Sequence, residues 1–405
     1  MNKKKFSILF IICLANSLMY VLPYLQSTYY ESMRMAYGFT HIQMGNLISV
    51  HGIFNIPAYI LGGVIADSFD TKKLFIFSLA ATGLAGLYSA TLPPYYVMVC
   101  VYIVWSFTTI LGFWSAMIKA VKVLADEEHQ SQLFSLKETM CCVIGLMLST
   151  SALLFFNFTG ENFVSILTFY SIALIVVALL VFFFMPAQPS AQKPDLKGLV
   201  EGIKCVIKLK GVWLIGLTLL CCQTIGAFLG RFTPFFTNIS GLSASVVATI
   251  TIICVSGIAN IGSISGGKIA AMIGSPSKFI SYVMILCAIM AIVFIMSPWG
   301  REYVAVSIVI CAIFRILNGT LRSVVFATMS QVNIPPKYTG TASGVISVIG
   351  YLPDVFAYSF CGAIMETFEP VPAYKTIFIA LAICAVLGAI VSSSLHKYSL
   401  KLKRL

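Results

Sequence analysis

The chain has 405 residues and a formal net charge of +12; 59% of its residues are hydrophobic and only 10% are charged, with a mean hydropathy of +0.96. A globular domain carries roughly 25% charged residues, so this composition excludes a chain that covers itself with a soluble surface. It also excludes a nucleic-acid-binding domain, because no segment could present a basic face on a soluble fold.

Twelve apolar segments have the length a bilayer-spanning helix needs. They run over residues 6–30, 43–65, 74–91, 95–118, 138–158, 162–185, 211–236, 244–266, 279–297, 303–322, 340–363 and 373–395. Met1 to Ala15 imitates a secretory signal, but the apolar run continues to Leu25 without a small-residue cleavage site, so it reads as a first membrane helix. Pro23, Pro57 and Pro353 interrupt segments one, two and eleven, and a membrane proline marks a kink or hinge. Residues 119–137 and the long polar stretch 186–210 lie on the inner side. Leu196 to Val206 has the spacing of an amphipathic surface helix.

The charges order these segments across the membrane. All but five of the 26 Lys and Arg fall on one side. Arg34, Arg301 and Lys375 fall opposite, and Arg231 and Arg315 lie inside apolar segments. Positive residues stay cytoplasmic, which puts both termini inside. The expected fold is all-α, with twelve transmembrane helices in two pseudo-symmetric six-helix halves: 1–185, a cytoplasmic linker 186–210, and 211–405.

The twelve cysteines have no CxxC spacing and no Cys/His cluster, so neither a disulfide framework nor a metal site is expected. No P-loop, G-x-S-x-G, HExxH or strand-linked GxGxxG occurs. No enzyme activity and no cofactor are expected, and transport by this chain would draw on an ion or solute gradient.

A short string supports the two-half reading. Gly62-Gly63-Val64-Ile65-Ala66-Asp67 recurs as Gly266-Gly267-Lys268-Ile269-Ala270-Ala271, each copy at the end of an apolar segment and before a polar loop ending in lysine. Internal repeats of this kind build many transporters. The loop after the first copy, Gly63 to Lys73, resembles the signature G-x-x-x-D-R-x-G-R-K/R-K/R of the major facilitator superfamily. Gly63, Asp67, Lys72 and Lys73 match; Ser68 stands for the usual arginine and Asp70 for the usual glycine. Trp114 to Ala120 and Gly274 to Lys278 further resemble its YihN-like bacterial branch, related to the organophosphate:phosphate antiporters and associated with small organic anions. The resemblance implies that Asp67 latches a gate with nearby basic groups. Lys119, Glu138 and Arg322, at inner helix ends, join that network.

Polar groups at bilayer depth are costly and are therefore functional candidates. Asn16, Tyr20, Tyr24, Ser27 and Glu31 follow a spacing of three to four that places them on one face of helix one; His51, Asn55 and Tyr59 do so on helix two, and Arg315, Asn318 and Arg322 on helix ten. Ser347, Tyr351, Asp354 and Tyr358 line helix eleven, and helix seven carries Gln223 and Arg231. In the superfamily these are cavity-lining helices.

Arg315 and Arg231 are the anion-binding candidates, because guanidinium stays charged in apolar surroundings and grips oxyanions in a bidentate way. Arg315 lies about 18 Å into segment ten, near mid-membrane. Alternatives are an Arg315–Asp354 pair and an Arg231 that snorkels to the interface. Tyr20, Tyr24, Asn55, Gln223 and Tyr351 complete the substrate-binding set. His51, Asp354 and Glu31 are the candidate proton carriers.

The expectation is a monomeric secondary transporter of the inner membrane, moving a small polar, anionic organic solute by alternating access, with protons as a candidate coupled ion. The partners expected are the solute, protons and the lipid bilayer, and no nucleic acid. Alternatives are an exporter of drugs and lipophilic compounds, which would favour an apolar, acidic cavity, and a membrane sensor that binds without transporting.

Overall fold

The computed structural model describes residues 3–124, 130–187, 196–335 and 338–402; the side chains of a few of these, Asp67 among them, are not described. Asp126-Glu127-Glu128 of the acidic inner loop lie outside the described residues. Each expected apolar segment is helical, and among the described residues ten helices are long and apolar enough to cross a membrane. The other two expected segments differ for visible reasons. The first is broken into short pieces, and the third, α4 (Thr71–Ser89), begins with Lys72 and Lys73.

Segment one forms α1 (Lys3–Met19), a 3-10 turn (Leu25–Ser27) and α2 (Tyr30–Tyr37). Pro23 supplies no amide hydrogen and disfavours helix at the residue before it. Tyr20, Tyr24, Ser27 and Glu31 therefore do not extend one helical face from Asn16, contrary to the spacing. Pro57, in contrast, sits inside an uninterrupted α3 (His41–Ser68). The fourth segment is α5 (Tyr95–Ser106) and α6 (Ser115–Lys122), joined by a π-helical stretch Phe107–Trp114. α7 (Gln130–Phe158) and α8 (Phe163–Phe184) follow. The amphipathic helix expected in the linker is α9 (Leu196–Val206).

Segment seven is also broken, into α10 (Lys210–Leu229) and α11 (Phe232–Asn238). Pro234 cannot donate to the carbonyl four residues back, at Gly230, so the helix is interrupted there. Segment eight is α12 (Ala244–Ile252) and α13 (Ala259–Ile273) around a second π-helical stretch, Ile253–Ile258. α14 (Pro276–Met296) and α15 (Val304–Val324) follow, α15 running into a 3-10 stretch Val325–Gln331. Segment eleven is α16 (Thr339–Gly350) and α17 (Pro353–Thr367), parted just before Pro353, which sits at a helix start where its missing amide costs least. α18 (Pro370–Leu402) ends the fold.

The chain forms two compact units: Met1–Phe39 with Ile53–Asp195, and Thr40–Gly52 with Leu196–Leu405. In the first, α4 packs along α8 and α1 along α7. In the second, α13 and α15 approach until backbone meets backbone. A β-carbon on Gly319 would strike the Ala259 carbonyl, and one on Gly262 would strike the Ile316 carbonyl. Hydroxyls close the same seam: Thr320 donates to the Gly262 carbonyl at 3.1 Å, and Ser263 to that of Gly319 at 3.2 Å. The second unit also holds the first turns of α3 against α17. Ser359 donates to Asn46 at 2.6 Å and shares a 2.6 Å hydrogen bond with Ser49, while the His41 amide donates to Glu366 at 2.9 Å.

Candidate functional site

The break in segment seven organises the second unit's polar cluster. The last carbonyls of a helix lack intrahelical partners, and α10 ends at Leu229. Arg315 of α15 donates from Nη2 to the Leu229 carbonyl at 2.8 Å. Its Nε is buried and has no hydrogen-bond partner among the described residues. One turn further along α15, the Nδ2 of Asn318 is in the same state. The Cys311 thiol lies within reach of the Arg315 guanidinium, but a neutral thiol is a weak acceptor. The tight α13–α15 seam fixes this face of α15.

Arg231 follows the break directly. It is 1% exposed, and its guanidinium carbon lies 5.3 Å from the centre of the Tyr358 ring. The snorkelling alternative is thereby overturned: a chain that stops its helix at Leu229 turns residue 231 inward instead of leaving it on an outer helical face. Next to Arg231, Phe232 stacks within a cluster that includes Phe236, Phe294, Phe314 and Phe378. Asp354 lies in the electrostatic field of both Tyr351 and Tyr358. Gln223 meets the Tyr351 hydroxyl, and Arg322 acts on the same tyrosine. His51 is fully buried in this unit.

The remaining candidates lie in the first unit. Tyr20, in the break of segment one, packs edge-on against Phe113 and Trp114, both at 6.3 Å between ring centres. Tyr24 precedes the 3-10 turn, and Asn55 is 3% exposed on α3. Glu31 is tied to Arg34, whose Nε donates to its carboxylate at 2.8 Å. Lys119 donates from Nζ to the Ala66 carbonyl at 2.7 Å, at the end of α3, where a cation meets the negative end of the helix. Asp70 accepts from the Lys73 amide at 3.1 Å and caps α4. Lys72 lies 5.6 Å from the Phe182 ring centre, and Lys73 is exposed. The side chain of Asp67 is not described, and Gly63 is placed by backbone alone.

Three residues of interest were not in the expected binding set. Asn318 shares the face of Arg315, which its spacing of three already signals. Tyr358 was legible only as part of the helix-eleven line. Lys137 is 3% exposed and pairs with Glu138 at 2.8 Å. It lies just outside the apolar segment, where a lysine reads as an ordinary flanking charge.

Comparison with known proteins decides the family. The profile of the Major Facilitator Superfamily matches residues 6–358. The chain belongs to this superfamily. It is accordingly an integral membrane protein of a secondary-transporter family. It is 29% identical to the inner membrane protein YihN of Escherichia coli strain K12, over 98% of this chain and 96% of that protein. It is 27% identical to the inner membrane protein YqcE of the same organism, over 91% and 89%. In structure it resembles a bacterial homologue of the human lysosomal transporter Spinster, with TM-score 0.79 and 13% identity, over 99% of this chain and 98% of that one. It also resembles the nucleoside transporter NupG, with TM-score 0.75 and 16% identity, over 98% and 100%. These structural likenesses establish the twelve-helix fold.

Proposed function

We propose that this superfamily member moves a small, polar, anionic organic solute across the inner membrane by alternating access of its two halves, 1–185 and 211–405, with the linker 186–210 and both termini cytoplasmic. One observation carries the anionic assignment: Arg315 Nε and Asn318 Nδ2 are buried donors, one helical turn apart, without an acceptor among the described residues. A buried donor left unmade costs about 1–3 kcal/mol, and a carboxylate, sulfonate or phosphate ester supplies the acceptors that both need. The charge of Arg315 makes that acceptor an anion. Arg231 on Tyr358, with the aromatic cluster beside it, supports a second positive field and an apolar wall. Gln223, Tyr351, Tyr20, Tyr24 and Asn55 are the further binding residues proposed. His51 and Asp354 are the proposed proton carriers. Glu31, held by Arg34, ranks behind them. Asp67, Lys119, Glu138 and Arg322 are proposed for the inner gate. The likeness to the inner membrane proteins YihN and YqcE supports the location.

The test is a thermal-shift screen of the purified protein in detergent with carboxylates, sulfonates and phosphate esters, on wild type and Arg315→Ala. A ligand that binds the folded state raises the melting temperature by mass action. Stabilisation by one anion class, lost in the variant, supports the assignment. Stabilisation of both proteins by lipophilic cations alone overturns it in favour of the drug-exporter reading.

A further inference from the structure

We infer that Cys13 and Cys141 form a thiol pair open to reversible oxidation by low-molecular-weight disulfides, with Cys141 as the attacking and Cys13 as the resolving cysteine. All twelve cysteines carry free thiols. Three pairs lie within hydrogen-bonding reach of each other: Cys13 with Cys141, Cys221 with Cys384, and Cys254 with Cys311. In the first, a side-chain amide also donates to one of the sulfurs.

Cys13 of α1 donates from Sγ to the Lys137 carbonyl at 3.6 Å, and Cys141 of α7 donates to the Cys13 carbonyl at 3.8 Å. The two side chains thus lie across each other at the α1–α7 contact. The Asn16 amide donates to the Cys141 sulfur at 3.4 Å. The Ser17 hydroxyl donates to the Cys141 carbonyl at 3.2 Å and holds that turn of α7 in place. The buried ammonium of Lys137, one turn before Cys141, acts on the same sulfur, opposed by the Glu138 carboxylate with which it pairs at 2.8 Å. The attacking species is the thiolate, and the Asn16 amide is placed to hold the Cys141 sulfur during attack. Access assigns the order: Cys141 is half-buried and Cys13 is fully buried.

The chemistry balances. The Cys141 thiolate attacks an exogenous disulfide, forming a mixed disulfide and releasing one thiolate. Cys13 passes its proton to the released thiolate and attacks the Cys141 sulfur, and the second thiolate leaves and is protonated from solvent. Two protein thiols lose two electrons and two protons, and one small disulfide becomes two thiols. The bond staples α1 to α7 two helical turns before the break that carries Tyr20. A reductant reverses it.

The experiment treats the full-length protein in detergent with 4,4′-dithiodipyridine and maps the products by peptide mass spectrometry. The expected result is a Cys13–Cys141 cross-link, absent after reduction. Cys13→Ser should instead stop at the pyridyl adduct on Cys141. Asn16→Leu should slow formation of the cross-link roughly tenfold, the scale of one hydrogen bond to a charged group. The inference is overturned if the cross-link joins Cys221 to Cys384 or Cys254 to Cys311 instead, if none forms, or if Cys13→Ser carries no adduct at Cys141.

Discussion

Arg315 Nη2 lies 2.8 Å from the carbonyl oxygen of Leu229, so a charged side chain on α15 closes the frayed end of α10. The guanidinium fork leaves its Nε free for a second acceptor in a fixed direction. A lysine has one compact ammonium and no such fork. Arg315→Lys should therefore weaken anion binding by at least about tenfold, the loss of one charge-assisted hydrogen bond. Isothermal titration with the anion found in the thermal screen measures it.

Asn318 separates binding from folding. Asn318→Leu removes a buried donor that has no acceptor among the described residues, so the melting temperature should hold or rise while anion affinity falls. Asn318→Asp places a carboxylate beside Arg315 and should raise the melting temperature while abolishing anion binding. Thermal unfolding with and without the anion reads both outcomes. A large destabilisation by Asn318→Leu would show that the amide is structural.

Tyr358 is the aromatic platform under the buried Arg231 guanidinium. Tyr358→Leu should cost about 0.5–2 kcal/mol through the lost cation–π contact, whereas Tyr358→Phe should retain most of it. A detergent-based unfolding titration of the two variants checks the order.

The α13–α15 seam tolerates no side chain at its glycines. Gly319→Ala and Gly262→Ala each drive a methyl into a backbone carbonyl, which cannot rotate away. Overpacking of this kind costs typically about 1–3 kcal/mol. Both variants should melt lower, and because the seam fixes the face that carries Arg315 and Asn318, both should also bind the anion more weakly. Gly340→Ala, in open space, is the control.

Asp70 stands where the superfamily's signature has glycine, and it caps α4. Asp70→Ala should destabilise by about 1 kcal/mol, while Asp70→Gly should cost only a few tenths, because glycine is itself an acceptable cap residue. Melting temperatures of the two variants, compared in one detergent, decide it.

Much of the site's raw material was legible in the chain. Arg315 was marked by its depth in an apolar segment, and Asn318 by its spacing from it. The glycine repeat pointed to two related halves. What was not legible depended on breaks. Spacing arguments assume a continuous helix, and Pro23 invalidates that assumption for the Asn16-to-Glu31 line. The same assumption left Arg231 with a second reading, a snorkelling residue at the interface, beside that of anion ligand. Glu31, one of the proposed proton carriers, is held by Arg34 at 2.8 Å, a pairing that spacing alone does not reveal. Lys137 gave no signal, since a lysine beside an apolar segment is ordinary and only packing buries it.

The sequence by itself determined the twelve apolar segments, their α-helical form, the superfamily and the side chains too costly to bury without purpose. These follow from hydropathy, charge bias and local spacing, which need only near neighbours along the chain. The tertiary structure alone decided that Arg315 closes the end of α10, that Arg231 turns onto Tyr358, and that two donors on α15 find no acceptor among the described residues. The first two depend on partners 86 and about 127 residues away in the chain, and hydrogen-bond satisfaction is a property of the packed neighbourhood that no local pattern encodes.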